Sequence, residues 1–233
     1  MNKHFRIGLL GGMGPEAGIL MQRLIMEMTP AEKDQDHLEV VAFTNPHVPD
    51  RTMSLAQDGG ASYLAAVIES LQLLEKTGVD ILVMACNTAH ARLPEMQARV
   101  RTPMLNMVEL ARKAIHAASG PVGILATDGT LNSGLFAIAG EPGKIVTPDP
   151  EDQGVVMSVI RDIKAGAKGP CIVGRLVSVI AGLRSAGCGR FVLGCTELSV
   201  VYEELRERLG DCFIDPLRLA AAELVNLAGK HSG

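Results

Sequence analysis

The chain has few of the residues on which several classes of protein depend. It contains no tryptophan and only 3% aromatic residues, and its formal net charge is −4. Nucleic-acid binding needs basic patches and aromatic surfaces for base stacking, so we expect no nucleic-acid partner. No stretch approaches the roughly 20 apolar residues of a membrane-spanning helix, and no apolar run of signal-peptide length follows the first residues. We therefore expect no membrane association.

The five cysteines are also notable for the patterns that they lack. They form no C-x-x-C pair, which argues against zinc ribbons and thioredoxin-type redox chemistry, and we predict no metal site. An odd number without framework spacing is typical of a reducing compartment, so we predict a cytoplasmic protein. The content of 47% hydrophobic and 21% charged residues is ordinary for a globular core.

Two of these cysteines share the same setting. Cys86 follows the apolar run 79–85 and Cys195 follows the run 190–194, and a glycine lies eight residues before each cysteine. Both runs have the composition of short buried parallel strands, so each cysteine is expected at the carboxyl edge of a sheet, where α/β proteins build sites. The N–H groups of a following helix would lower a thiol pKa there. Two equivalent thiols suit the removal of a proton from one face of a carbon and its return on the other face.

A purely structural interpretation of the two cysteines stays open. Free cysteine is among the most buried residue types, and an old duplication could preserve the spacing without preserving any chemistry. The remaining cysteines lack this setting and are interpreted as packing residues: Cys171, Cys188 and Cys212.

The matched cysteines belong to a longer internal repeat. Residues 6–10 recur as residues 121–125, and each strand-like run enters a glycine-bearing loop. Strand-like and helix-like segments alternate along the chain, which indicates parallel sheets. We predict an α/β fold with two pseudo-symmetric domains, each a short parallel sheet flanked by helices, and an active site in the cleft between them. The first domain is predicted to comprise residues 1–103 and 212–233, and the second residues 104–211.

Hydrophobic periodicity and turn residues predict the individual elements. The predicted strands are 7–10, 38–44, 79–84, 104–106, 122–125, 145, 190–193 and 214. The predicted helices are 15–28, 61–76, 93–101, 131–138, 152–164, 172–186, 199–208 and 217–228, the first with Pro15 in its first turn.

The first glycine-bearing loop, residues 12–17, has three interpretations. It matches G-x-G-x-x-A after a strand, with Asp34 and Asp36 about twenty residues further on, as in dinucleotide sites. These acids precede the second strand, however, and nothing else suggests hydride chemistry. A tight strand-to-helix turn also requires glycine. We favour a third role, in which the loop N–H groups and the start of the helix hold a small carboxylate.

An ordered set of segments makes the chain resemble a known family. The segments are IGLLGGMGP at 7–15, NPHVPDRT at 45–52, CNT at 86–88, ATDGT at 126–130, PEDQ at 150–153, IKAG at 163–166 and GCTE at 194–197. Together they resemble the aspartate/glutamate racemase family, and closely its aspartate racemase branch. Glutamate racemases usually have Asp-Ser-Gly and Gly-Cys-Thr-His where this chain has Met13 and Glu197. Some relatives carry only one of the two cysteines and decarboxylate or isomerise instead. Both cysteines are present here, which favours racemisation.

The resemblance implies a cofactor-independent racemase of aspartate, with glutamate as the main rival substrate, and often a homodimer. Cys86 and Cys195 would flank the substrate α-carbon, one as thiolate base and the other as thiol acid. Arg51 and Lys164 would bind the distal carboxylate, which suits a guanidinium fork and an ammonium point charge. The resemblance also implies that Asn87, Thr88 and Thr196 bind the α-carboxylate. Met13 and Thr127 are expected to make further contacts with the substrate.

Several of these residues also have simpler interpretations. Arg51 alone would be a solvated loop residue, and Lys164 a lysine that favours a helix C-terminus. His90, four residues after Cys86, would orient that thiol, bind a carboxylate or face a domain interface. Glu197 would cap its helix or position a neighbouring group. No lysine has a recognisable setting for pyridoxal phosphate.

Two other functions remain open from the sequence. One is different α-carbon chemistry on a dicarboxylate, such as decarboxylation or cis–trans isomerisation, and the other is non-catalytic dicarboxylate binding. Aspartate and glutamate differ by one methylene, which changes the depth of a site and not the residue types that line it.

Overall fold

The computed structural model describes residues 5–231, which pack as two α/β units. The first unit runs to Met107 and resumes at Leu217, and the second comprises Val108–Pro216. The predicted boundaries lie a few residues earlier at both places. The segment around Met104 stays with the first unit because it forms a bridge to Leu82 of that unit's sheet.

The first unit is built on a three-stranded parallel sheet. Its strands are β1 (Arg6–Gly11), β2 (Glu39–Thr44) and β3 (Ile81–Met84), in the order β2-β1-β3. Its helices are α1 (Pro15–Met28), α2 (Arg51–Asp58), α3 (Ala61–Glu75), α4 (Leu93–Gln97) and, from Leu217 onward, α10 (Pro216–His231). Two 3₁₀ helices, Asp34–Asp36 and Thr88–Arg92, complete the unit.

The second unit repeats this arrangement with one further strand. Its sheet contains β4 (Val122–Leu125), β5 (Ile145–Val146), β6 (Arg190–Leu193) and β7 (Phe213–Ile214), all parallel and in the order β5-β4-β6-β7. Its helices are α5 (Met107–Ala117, from Val108 onward), α6 (Asp128–Asn132), α7 (Pro150–Lys164), α8 (Pro170–Ser185) and α9 (Tyr202–Leu209), with a 3₁₀ helix at Leu198–Val201. In both sheets the first strand therefore lies between the second and the third, and the predicted pair of parallel-sheet domains is confirmed.

The long elements follow directly from their apolar spacing. Helix α1 begins at Pro15, as predicted, because proline has no N–H to lose in the first turn. It buries Ala17, Leu20, Met21 and Leu24, at the spacing of one helical face. All four residues of β3 are buried, as the continuous apolar run predicts for a strand covered on both faces.

Gly12 is the residue that makes the β1–α1 loop possible. Its φ angle is +98°, and a Cβ atom at this position would lie 2.3 Å from the Asn45 backbone just beyond β2. No side chain can be accommodated at that distance, so the tight-turn interpretation accounts for this glycine whether or not the loop also holds a carboxylate.

Several predicted elements are wrong in extent. Helix 131–138 is absent, because α6 ends at Asn132 and Gly134 follows with a φ angle of +66°. Helix 93–101 ends at Gln97, and the strand predicted at 104–106 is reduced to a single bridge. Helices α2 and α5 were not predicted. Helix α2 buries only Arg51 and Ser54, so it has no apolar periodicity to reveal it.

Candidate active site

The two candidate thiols occupy equivalent places in the two units. Cys86 lies two residues beyond the end of β3, and Cys195 lies two residues beyond the end of β6. Both are free cysteines, and their side chains are 4% and 5% exposed. A short 3₁₀ helix follows each of them, and the next α-helix begins seven residues after each cysteine. The carboxyl edge of each parallel sheet therefore presents one buried thiol.

The Cys195 thiol has a carboxylate as its immediate partner. Its Sγ donates a hydrogen bond to Oε2 of Glu197 at 2.8 Å, and Glu197 is itself 4% exposed. The Glu197 side chain makes no capping hydrogen bond to the 3₁₀ helix that it precedes. Of the two roles that the sequence left open for Glu197, this contact favours positioning of a neighbouring group over capping of the helix.

Burial raises the pKa of Cys195 well above its ordinary value, and the adjacent Glu197 carboxylate raises that pKa further. The expectation of a lowered thiol pKa is therefore wrong for Cys195. The positive charge of Lys164, the last residue of α7, acts in the opposite direction and lowers the pKa of Cys195. Lys164 is exposed, so its ammonium group is accessible while its charge still reaches the thiol.

His90 supports the segment that carries Cys86. It is 4% exposed and lies in the 3₁₀ helix Thr88–Arg92, and its Nδ1 donates to the Cys86 carbonyl oxygen at 2.8 Å. Burial lowers the pKa of His90 to about 4, although the backbone carbonyls of Cys86 and Leu105 partly oppose this effect. The imidazole is therefore neutral near pH 7, and the observed contact fixes the Cys86 backbone.

Arg51 is buried, so the solvated-loop interpretation of this residue is wrong. It is the first residue of α2 and is 8% exposed. Nη1 donates to the carbonyl oxygens of Val48 and Pro49, and Nη2 donates to that of Met13, each at 3.1 Å. Within residues 5–231 no carboxylate forms an ion pair with this guanidinium. Buried charges are normally paired, so a buried cation that bonds only to carbonyl oxygens can still accept an anion.

Arg51 also contacts Met13, another predicted site residue of the first unit. Its bond to the Met13 carbonyl joins the start of α2 to the loop between β1 and α1, and Met13 is 2% exposed. Three of its five N–H groups contact backbone carbonyls. In the described part of the chain Nε–H and one N–H of Nη2 keep their hydrogen-bonding capacity. These two groups can bind one carboxylate as a fork.

Thr127 has the same loop position in the second unit. It is 5% exposed and is the N-cap residue of α6, where its hydroxyl accepts from the Thr130 amide at 3.2 Å and donates to Thr130 Oγ1 at 3.1 Å. This hydroxyl therefore fixes the turn, whatever it contributes to a substrate. The other predicted polar residues are buried beside the cysteines: Asn87, Thr88 and Thr196.

The structure also contains polar contacts that the sequence did not reveal. The Ser199 hydroxyl donates to Asp215 Oδ1 at 2.8 Å, which links the 3₁₀ helix after Cys195 to the end of β7. Gln153 Nε2 donates to the Ala126 carbonyl oxygen at 3.1 Å and to Asp128 Oδ1 at 2.7 Å. Asp215 and Asp128 each follow a strand at the carboxyl edge of the sheet. This position after a strand is the sequence feature that could have identified them.

Two classes of feature are not found in residues 5–231. No cluster of three or more histidine, cysteine or acidic side chains has the arrangement of a metal site there. Within the same range, none of the helices combines the length and the apolar character that crossing a bilayer requires.

Comparison with known proteins gives a consistent result. Residues 10–224 match the family profile described as Asp/Glu/Hydantoin racemase. The solved structure of the Picrophilus torridus aspartate racemase has a TM-score of 0.83 and 30% identity, over 97% of this chain and 94% of that chain. The broad specificity amino-acid racemase RacX of Bacillus subtilis is 29% identical over 64% of this chain and 67% of its own length. A glutamate racemase of Deinococcus radiodurans is 34% identical over 60% of this chain, and the match spans about half (49%) of that protein.

Proposed function

The chain belongs to the Asp/Glu/hydantoin racemase family, and from its candidate site we propose that it is a cofactor-independent racemase that interconverts L- and D-aspartate. The observation that carries this proposal is the pair of equivalent buried thiols, Cys86 and Cys195, each just beyond a parallel strand. Racemisation needs one group on each face of the α-carbon, one to remove a proton and one to supply a proton.

In the proposed reaction one cysteine is a thiolate and the other is a thiol. The thiolate takes the α-proton as the Cα–H bond breaks, and the thiol gives its proton to the opposite face of the carbanion. The two sulfurs have then exchanged protonation states, and the reverse reaction starts from the product form. A low-dielectric site with fixed donors stabilises the developing charge more strongly than water does.

Glu197 gives Cys195 a defined place in this cycle. The hydrogen bond from Sγ to the carboxylate favours the protonated thiol, so Cys195 acts as the acid when Cys86 is the base. In the opposite direction Cys195, which has given its proton to the carbanion, is the thiolate base, and Cys86 is the thiol acid. His90 holds the Cys86 backbone in place through its Nδ1 contact.

Dicarboxylate selectivity is proposed to come from the two cations. Arg51 is buried without a carboxylate partner in the described part of the chain, and its remaining N–H groups suit the distal carboxylate. Lys164 adds a second positive charge. The α-carboxylate is assigned to Asn87, Thr88 and Thr196, with Met13 and Thr127 as further substrate contacts.

Aspartate is favoured over glutamate because a similar structure that is 30% identical and covers almost the whole of both chains is that of an aspartate racemase. Glutamate is the second candidate, since the Deinococcus radiodurans relative is a glutamate racemase. A homodimer remains a prediction from the family resemblance, and a cytoplasmic location remains a prediction from the cysteine pattern.

The test is incubation with each L-amino acid in D₂O, following optical rotation and the α-proton signal. We expect aspartate to lose both signals while it keeps all of its carbons. Cys86→Ser and Cys195→Ser should each abolish racemisation, whereas the control Cys188→Ser, also a buried cysteine, should leave it unchanged. Loss of a carboxyl group would indicate a decarboxylase, and binding without exchange would indicate a non-catalytic protein. Normal activity in either Cys86→Ser or Cys195→Ser would refute the two-thiol mechanism.

A further inference from the structure

The proposed substrate carries three charges, and the residues discussed so far provide for two of them. Arg51 and Lys164 are assigned to the distal carboxylate, and Asn87, Thr88 and Thr196 to the α-carboxylate. The α-ammonium group still needs an acceptor with a negative charge. We propose that the carboxylate of Asp128, oriented by Gln153, binds the substrate ammonium group; this inference rests on the proposed function.

Asp128 lies beside the segment that carries Cys195. Leu125 of β4 pairs with Leu193 of β6, and the Gly194 amide donates to the Leu125 carbonyl oxygen at 2.7 Å. A Cβ atom at Gly194 would lie 2.8 Å from the Ala126 side chain, so the segments that follow β4 and β6 are in direct contact just beyond the sheet. Asp128 follows two residues after Ala126, and Cys195 directly follows Gly194. The acid therefore belongs to the same edge of the sheet as the thiol.

The Asp128 carboxylate is held in one orientation with one oxygen available. Gln153 Nε2 donates to Oδ1 at 2.7 Å and to the Ala126 carbonyl oxygen at 3.1 Å, so α7 holds both the turn and the acid. Among residues 5–231 the second oxygen, Oδ2, accepts no hydrogen bond. Asp128 is half-buried, which leaves its carboxylate accessible to a small ligand. An oriented carboxylate with an available oxygen suits an ammonium donor.

The same loop in the first unit is held in the same way but with the opposite charge. There the helix after the second strand contributes Arg51, which bonds to the Met13 carbonyl oxygen in the loop after the first strand. In the second unit the helix after the second strand contributes Gln153, which bonds to the Ala126 carbonyl oxygen. One loop is thus accompanied by a cation and the other by a neutral amide and a carboxylate. The first suits a substrate carboxylate and the second suits a substrate ammonium.

A structural role for Asp128 makes a different prediction. Asp128 is the first residue of α6, where a carboxylate stabilises the helix N-terminus. Loss of that effect would weaken every ligand of the site by a similar factor. Loss of an ammonium partner would weaken only ligands that carry the ammonium group.

Succinate provides this comparison because it is aspartate without the ammonium group. Dissociation constants of L-aspartate and succinate are to be measured by titration calorimetry on the full chain. Enantiomers have equal energies, so turnover adds no net heat. We expect Asp128→Asn to weaken aspartate binding by about 10- to 100-fold, as for a charged hydrogen bond, and succinate binding by less than about threefold. Gln153→Leu should show the same selectivity with a smaller loss, because the carboxylate remains but is no longer oriented.

Asp211→Asn is the control, since Asp211 is exposed and precedes β7, at the edge of the sheet opposite to the proposed site. It should change neither constant. Equal losses for aspartate and succinate in Asp128→Asn, or no loss for either, would overturn the ammonium site and leave the proposed function intact. If Asp128→Asn fails to fold, the same comparison is made with Gln153→Leu, and equal losses of aspartate and succinate binding in that variant would overturn the ammonium site. Wild-type protein that binds neither ligand would overturn the proposed function and this inference together.

Discussion

Replacing Glu197 by glutamine tests the electrostatics of the Cys195 thiol without requiring any turnover. The substitution keeps the shape of the side chain and removes its negative charge. In the native protein Sγ of Cys195 lies 2.8 Å from Oε2 of Glu197, and both burial and this carboxylate raise the pKa of the thiol. Removing the charge should therefore lower the pKa of Cys195.

The size of this effect follows from the separation of the two charges. Two unit charges about 4 Å apart interact by about 4 kcal/mol at an effective dielectric constant of about 20. The glutamine amide still interacts with the sulfur, and burial still disfavours the thiolate. We therefore expect the pKa of Cys195 to be lower in Glu197→Gln than in the native protein, although still raised by burial.

The assay is the pH dependence of iodoacetamide alkylation, with Cys195 followed by peptide mapping. Because the thiolate is the reactive form, the alkylation profile of the variant should move to lower pH. Glu203→Gln, which removes an exposed carboxylate paired with Arg206, should leave the profile unchanged. Superimposable profiles for wild type and Glu197→Gln would refute the electrostatic argument.

The same pKa shift predicts how stability depends on pH. A group whose pKa is raised on folding stabilises the protein below the unfolded pKa, and this stabilisation is lost as the pH rises through the folded pKa. The ordinary value for Cys195 is 9.0, so its contribution declines above about pH 9. Glu197→Gln should show a smaller decline in the free energy of unfolding across this range, measured by urea denaturation.

Two further substitutions test the first unit. Arg51→Lys keeps the charge, but a lysine cannot bond to the carbonyls of Met13, Val48 and Pro49 and also bind a carboxylate as a fork. The KM for aspartate should therefore rise about tenfold or more in this variant. An unchanged KM would contradict the assignment of Arg51 to the distal carboxylate. His90 has its pKa lowered from 6.5 to about 4, so stability should fall as the pH drops through this window, by about 2 kcal/mol between pH 7 and pH 5. His90→Gln should lack this component in urea denaturation, and an identical pH dependence in both proteins would show that His90 is not the cause.

The sequence by itself determined the elements that are long or completely buried. Helix α1 has the predicted bounds, 15–28, because its apolar spacing and Pro15 act locally. Strands β4 and β6 also have their predicted bounds, and the repeat between the two halves predicted two similar parallel sheets. The two cysteines were found for the same reason, since a residue just beyond a buried parallel strand lies at the edge of the sheet wherever that strand is placed.

Only the tertiary structure decided the contacts made by polar side chains. Arg51 was open to interpretation as a solvated residue because its carbonyl partners include Met13, which is remote in sequence. The roles of Glu197 and Gln153 depend on side-chain direction and on neighbouring loops, and neither leaves a periodic pattern. The pKa of Cys195 depends on burial and on the Glu197 carboxylate together, so its sequence position alone predicted the wrong direction. Apolar periodicity is a local property of the chain, whereas the environment of a charge is set by every segment that packs around it.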